Sequence, residues 1–302
     1  MRVCVNLYSM KYFNSKEIAS MFDCNESTVR RWADKGLLPC NKTPGGHRYF
    51  TIQNLRTFIK NSESEGKKKM LRMDGKEIKQ IFSHIINSEY FDIAKHLANK
   101  SIESDELSVK NIIYNLYLYG TDLTIIFDQV IEKCHDLVEQ KLTDGEISHS
   151  EEYISRKLIT RVIESLCENK PNGINNGKNA LCINFEDNLP DIGIIMSEVI
   201  LRHQGYNVLN TGSHAQLGDL KLLLNNQKID IIIFYLCNRQ CCNAVALKNI
   251  DKTILQTQQI IKVAESCDIK VLFGGPGIKF INKSTQFKIS SFITFDDLNL
   301  LI

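Results

Sequence analysis

Ten cysteines are present, but no two fall in a CxxC pair, so no metal site of the usual thiolate spacing is expected. No apolar run reaches the ~20 residues that a membrane helix needs; the longest, from Ile231 to Cys237, stops after seven positions. A membrane partner is therefore not expected. The opening residues, Met1-Arg2-Val3-Cys4-Val5-Asn6, carry no long apolar core ahead of a small-residue cleavage site. Secretion is not expected, and the cysteines read as reduced thiols of a cytoplasmic protein. Proline is scarce, at five in 302 residues, and none falls between 74 and 168. Hydrophobic content of 43% and charged content of 24% exclude wholesale disorder and fibrous repeats. The length suits two or three domains.

The net charge of +2 conceals an asymmetry. Residues 1–72 carry 14 Lys/Arg against 6 Asp/Glu, whereas the remaining residues carry 23 against 29. A basic head on an acidic body fits a head that meets a polyanion.

Punctuation divides the chain into a head (1–62), a polar linker (63–73), a helical segment (74–168), a second linker rich in turn formers (169–179) and an α/β segment (180–302). In the helical segment, Ile78, Ile81, Phe82, Ile85 and Ile86, and then Ile125 through Val138, recur at helical spacing, and a four-helix bundle is expected. Two of its helices are placed at about 106–118 and 148–167. Beyond 180 the period changes. Strands are expected at 180–185, 206–211, 230–236, 270–273 and 291–294, with helices at 192–204, 216–226 and 252–266 between them. That alternation predicts a doubly wound, flavodoxin-like parallel sheet with ligands at the carboxyl ends of its strands.

In the head, Asn14 and Ser15 can cap a helix running to Phe22, and a second helix follows a three-residue turn and ends at Gly36. Its Val29, Trp32 and Ala33 share one face, leaving Ser27, Thr28, Arg30 and Arg31 outside. Pro44-Gly45-Gly46 then forces a hairpin whose tip presents Lys42, His47 and Arg48. Two short helices plus a wing form the geometry that enters a major groove and grips phosphate.

The head resembles the winged helix-turn-helix of the MerR family. The matching residues are Lys16-Glu17-Ile18-Ala19, Ser27 to Trp32, Gly36-Leu37-Leu38-Pro39, Gly46 to Phe50, Leu55 and Ile59. The resemblance implies binding of a double-stranded DNA operator by a homo-oligomer, with Lys16 among the contacts. Metal sensing by one long dimerisation helix and a cysteine loop is disfavoured, because some 240 residues follow the head.

The order of bundle, linker and α/β segment resembles the cobalamin-binding module of methionine synthase. Joined to this head, it resembles the light-sensing repressors of the CarH and LitR type. The family's landmarks are partly kept. Gly274-Gly275 follows a strand, where the family lets backbone approach the cofactor's nucleotide tail, and Asp191-Ile192-Gly193 opens a helix. The family's Asp-x-His-x-x-Gly loop reads here Asn188 to Gly193, with Asn188 for the Asp and Pro190 for the cobalt-binding His; proline has no side-chain lone pair to offer. Over the upper cobalt face the family has a Trp and a Glu-His pair; here stand Leu142, Glu152 and Tyr153. Where the family has a small hydroxyl residue after the third strand, this chain has Tyr235-Leu236-Cys237, whose bulk would crowd the nucleotide tunnel. Leu142, Tyr153 and Tyr235 are expected to fill part of the inherited cleft.

These readings lead to a transcriptional regulator without catalysis, whose body oligomerises the heads as dimer or tetramer and receives a signal or a protein antirepressor. Standard cobalamin ligation is not expected. Three inputs stay open: haem, a bilin or another planar ligand in the cleft, redox chemistry at Cys237, Cys241 and Cys242 beside Arg239, or a protein partner alone. A sensor holding cobalamin through other ligands is the competing reading. Cys134-His135 and His214 are further candidate ligands, though each also suits plain packing or a solvated loop.

Overall fold

The computed structural model describes residues 13–22, 24–43, 45–64, 81, 83–85, 87–167, 175–184, 192–212, 217–239, 249–282 and 290–302. The head begins at β1 (Phe13–Asn14), and Asn14 Oδ1 accepts the Lys16 N–H at 2.9 Å to start α1 (Ser15–Met21). After a short turn comes α2 (Glu26–Asp34), which ends where Gly36 adopts φ +68°, a conformation that favours glycine. The wing is formed by β2 (Asn41–Lys42) and β3 (Arg48–Phe50), and the antiparallel order is β1-β3-β2. Helix α3 (Ile52–Ser64) completes the head. Ile18, Val29, Leu38 and Phe50 are fully buried, and Trp32 packs on Phe58 with ring centres 4.9 Å apart.

Residues 81 and 83–85 are helical and precede the bundle. Its four main helices are α4 (Tyr90–Ile102), α5 (Glu106–Leu118), a continuous run α6, and α7 (His149–Cys167). Run α6 comprises Leu123–Ile125, a π-helical stretch over Ile126–Ile131, and Glu132–Thr143. The expected helices at 106–118 and 148–167 form. Helix α4 was not singled out in the sequence, although Ile93, Ala94, Leu97 and Ala98 are all buried in it.

The α/β segment holds β4 (Asn179–Ile183), α8 (Ile192–His203), β5 (Asn207–Gly212), α9 (Leu220–Asn226) and β6 (Ile231–Tyr235). There follow α10 (Ile250–Ser266), β7 (Lys270–Gly274), α11 (Ile278–Asn282), β8 (Ser291–Phe292) and α12 (Phe295–Leu301). The five strands are parallel in the order β5-β4-β6-β7-β8, the doubly wound arrangement. Period-two alternation assigns the faces. Cys182, Ile233 and Tyr235 join the core shared with the bundle, while Ile183, Ile232 and Phe234 join a second core beneath α9 and α10. Strand β8 stops before Thr294 because the N–H groups of Ile293 and Thr294 turn to Asp297 Oδ2, at 3.3 and 3.1 Å, as part of the α12 capping box.

Head, bundle and α/β segment meet around Tyr117. The Arg56 guanidinium of α3 lies 4.6 Å from the Tyr117 ring centre of α5, and Tyr117 Oη sits 3.0 Å from His203 Nε2 of α8. Among the described residues, no helix is long and apolar enough to cross a membrane.

Candidate functional site

On α2, Ser27, Arg30 and Arg31 are exposed and Thr28 is half-buried, whereas Val29 is sealed in the core. The sequence places them this way because Val29, Trp32 and Ala33 take the inward stripe. Arg30 Nη2 reaches Glu26 Oε1 at 2.6 Å, one turn back, and both side chains are about half exposed. Such a pair is worth little in water and releases its guanidinium readily to another anion. Lys16 is exposed at the start of α1.

In the wing, Lys42 and His47 are exposed, and the Thr43 Oγ1 and backbone O brace the turn by accepting from His47 N–H at 3.2 Å and Gly46 N–H at 2.8 Å. Gly46 has φ +78°, so the turn suits glycine. Arg48 behaves differently from the other cations. It opposes Lys42 across the hairpin, is only 22% exposed, and binds Asp34 Oδ1 of α2 at 2.5 Å. Its guanidinium therefore fixes the wing against the last turn of α2, a tie that sequence spacing did not reveal.

The second candidate region lies where the carboxyl ends of the strands face the bundle. A Cβ built on Gly193 would stand 2.1 Å from the Tyr235 ring, one on Gly274 2.0 Å from the Phe292 ring, and one on Gly275 2.4 Å from Leu236 O. The glycines thus permit a close approach, and the chain's own aromatic rings make it. Tyr235 stacks on Phe295, with centres 5.7 Å apart and planes within 8°, while Phe292 lies 6.2 Å from Tyr235. From the bundle, Phe127 meets Phe295 edge-on at 5.5 Å. All four rings are buried. The π-helical stretch of α6 brings Phe127 and Asp128 here, and the Asp128 carboxylate accepts the N–H groups of Phe295 at 2.8 Å and Asp296 at 3.1 Å. Burial nonetheless holds the Asp128 carboxyl above its ordinary pKa.

Beside the aromatic cluster stands a partly buried ion cluster, with Arg239 and Glu132 largely enclosed and Asp136 half exposed. Arg239, just past β6, places Nη2 2.7 Å from both Glu132 Oε2 and Asp136 Oδ1 of α6, with Glu139 Oε2 3.8 Å from its Nε. Burial raises the Glu132 carboxyl and the guanidinium draws it back down in part, while the acids push the Arg239 pKa up against desolvation. Cys237 is half-buried, its Sγ 3.8 Å from Arg239 Nη1 and 3.4 Å from the Arg239 backbone N. The acids recur at i, i+4 and i+7 on one helix face, the signal that could have exposed this cluster in the sequence.

His135 is buried nearby; its Nε2 has no hydrogen-bond partner among the described residues, and burial lowers its pKa to about 3. Cys134 is wholly buried, which raises its thiol pKa. Glu152 is buried and paired with Arg156 at 3.1 Å, and burial raises its carboxyl pKa. Leu142 is half-buried. Tyr153 corrects an expectation. It is 49% exposed, with Arg156 and Lys157 over its ring at 5.7 and 5.8 Å, so it does not fill the cleft. The reason is angular: neighbours on a helix point ~100° apart, and Glu152 takes the inward direction. Asn188, Pro190, Asp191, His214, Cys241 and Cys242 lie outside the described residues.

At the three-way junction, a polar cavity of about 310 Å³ is lined by Arg56, Asp122, His203 and Asp296 among others.

Residues 14–50 match the model of the MerR family regulatory protein, so the chain carries a MerR-family helix-turn-helix at its amino end. No curated protein matches the chain. Among solved structures, the monomethylamine corrinoid protein of Methanosarcina barkeri is similar, at 13% identity and TM-score 0.55, over 70% of this chain and 96% of that one. The methanol:cobalamin methyltransferase complex MtaBC of the same organism is 17% identical over 70% of this chain and 78% of that one, with TM-score 0.33. A cobalamin-binding protein from Desulfitobacterium hafniense is 13% identical over 69% of this chain and 96% of that one, with TM-score 0.32. The first of these shows that the body has the fold of a corrinoid protein.

Proposed function

We propose that this protein is a sequence-specific transcriptional regulator that binds double-stranded operator DNA as a dimer or tetramer. Ser27, Thr28, Arg30 and Arg31 would meet base edges, and Lys16, Lys42 and His47 the phosphates, with Arg48 steadying the wing. The body would serve oligomerisation and input, from a small signal or a protein antirepressor, without standard cobalamin ligation and without catalysis.

The observation that carries the second half of this reading is the occupation of the glycine-lined space by Tyr235 and Phe292, with Phe295 stacked on Tyr235. In the fold this body shares, that space would have to admit a cofactor tail; the packed rings leave no room for one without large rearrangement. Arg239 and its three acids likewise clamp β6 to α6 across the cleft. The polar junction cavity is the alternative place for a signal to act, because a ligand there would touch head, bundle and α/β segment together.

The test is selection of bound fragments from random duplex DNA, followed by footprinting. Protection of paired half-sites by an oligomer supports the reading, and salt-sensitive binding with no sequence preference contradicts it.

One feature favours a second reading, a sensor with a planar ligand held by non-standard ligands: the buried His135 Nε2, which has no hydrogen-bond partner among the described residues and lies close to Arg239 and Cys237. Addition of haem, a bilin or cobalamin, with absorption spectra of wild type and His135→Ala, separates the two.

A further inference from the structure

After the helical residues 83–85 comes a turn where Glu89 N–H returns to His84 O at 2.8 Å, with Ser88 at φ +58°. This fold-back sets Glu89 beside His84, the Glu89 Oε2 in contact with His84 Nδ1, at the very start of α4. One helical turn on, Asp92 joins them, and the donor atoms of His84, Glu89 and Asp92 all lie within 4.8 Å of one another. One turn further, His96 brings a second imidazole, its ring centre 5.7 Å from that of His84 and its plane inclined by 35°.

We propose that His84, Glu89, Asp92 and His96 form a binding site for one divalent first-row transition-metal ion of the zinc class. The donor set is two imidazoles and two carboxylates, which suits zinc and its neighbours rather than calcium or magnesium. The two carboxylates balance the ion's charge. The dimensions agree. A tetrahedral ion with bonds of about 2.1 Å keeps its donor atoms roughly 3.4 Å apart and two imidazole centres about 5.2 Å apart. The imidazole centres need closing by about 0.5 Å and the donor atoms of His84, Glu89 and Asp92 by up to about 1.4 Å, within the reach of side-chain rotation. The Asp92–Lys95 ion pair, at 3.2 Å between half-exposed side chains, is too weak to bar that rotation. A bound ion would tie the helical residues 83–85, which follow the head, to the bundle. Cysteine spacing gave no hint of it, since no thiol takes part.

The test uses the full chain, stripped of metal and kept reduced, titrated with Co(II) and then displaced by Zn(II). The proposal expects one Co(II) per chain, visible d–d bands of a four-coordinate ion, and no near-ultraviolet thiolate charge-transfer band. His84→Ala and His96→Ala should each weaken binding at least ~10-fold. Asp92→Asn, nearly isosteric and on the surface, should do so with an unchanged melting temperature in the absence of metal. Absence of binding, a thiolate band, or wild-type affinity in Asp92→Asn would each overturn the proposal.

Discussion

Tyr235 lies parallel to Phe295, ring on ring, and fills the space that Gly193 leaves open beside the carboxyl end of β6. Tyr235 belongs to the sheet and Phe295 opens the helix that Asp128 of the bundle caps. Phe295 also meets Phe127 of the bundle edge-on, so the same stack joins the α/β segment to the bundle.

Tyr235→Ala should leave a large cavity at this junction and destabilise the body by roughly 3–5 kcal/mol, the range for large aromatic truncations in cores. Urea unfolding followed by circular dichroism measures it. A loss below about 1 kcal/mol would mean that the ring is poorly packed.

Arg239 and Glu132 should show the asymmetry of a buried ion pair. Arg239→Met alone leaves Glu132 and its neighbours uncompensated and should cost about 3–5 kcal/mol. The double change Arg239→Met with Glu132→Gln should cost less than that single change. A double-mutant cycle at constant pH reads the coupling, and simple additivity would contradict the clamp.

His135 should give the protein an acid-sensitive stability. Its folded pKa of about 3 lies below the unfolded value of 6.5, so the folded state favours the neutral ring. The stability it contributes is present above the unfolded pKa and falls away with acidification toward the folded one, by about 1.4 kcal/mol per pH unit. Glu132, Glu152 and Asp128, whose carboxyls are raised, act in the opposite sense: their contribution is present at low pH and lost as pH rises through their folded pKa. The comparison is therefore of wild type with His135→Leu. Between pH 6.5 and 4.5 the wild type should lose some 2–3 kcal/mol more than the variant, and equal slopes would show the imidazole to be solvated.

In the head, Arg30→Ala should cost on the order of 1–3 kcal/mol on the preferred operator and relax preference at one base pair. Lys42→Ala should weaken all sequences alike and reduce the salt dependence by about one counterion. Arg48→Ala should act through the wing's position, and Asp34→Ala should reproduce part of its effect. Fluorescence anisotropy against matched and mutated duplexes at several salt concentrations distinguishes the three patterns.

Much of this architecture is legible in the sequence because burial is periodic. The apolar runs at Asn179–Ile183, Ile231–Tyr235 and Lys270–Gly274 are strands with both faces covered, and the stripe Val29, Trp32, Ala33 fixes which side of α2 stays outside. What escaped depends on residues far apart in the chain or on a single angle. The Arg239 clamp joins positions about a hundred residues apart, and the Arg48–Asp34 tie crosses from wing to helix. Tyr153 was placed by family position alone, and a 100° step on the helix turns it to solvent. The aromatic cluster was half visible: the bulk of Tyr235 was evident, but its partners Phe292 and Phe295 come from the last two elements of the chain.

The most direct measurement is the absorption spectrum of the full chain after incubation in the dark with hydroxocobalamin or adenosylcobalamin and removal of free ligand. That spectrum should show no corrin bands, and binding to operator DNA should be undiminished. Retained corrinoid in one-to-one ratio, with its cobalt coordinated by a side chain of this protein, would contradict this reading.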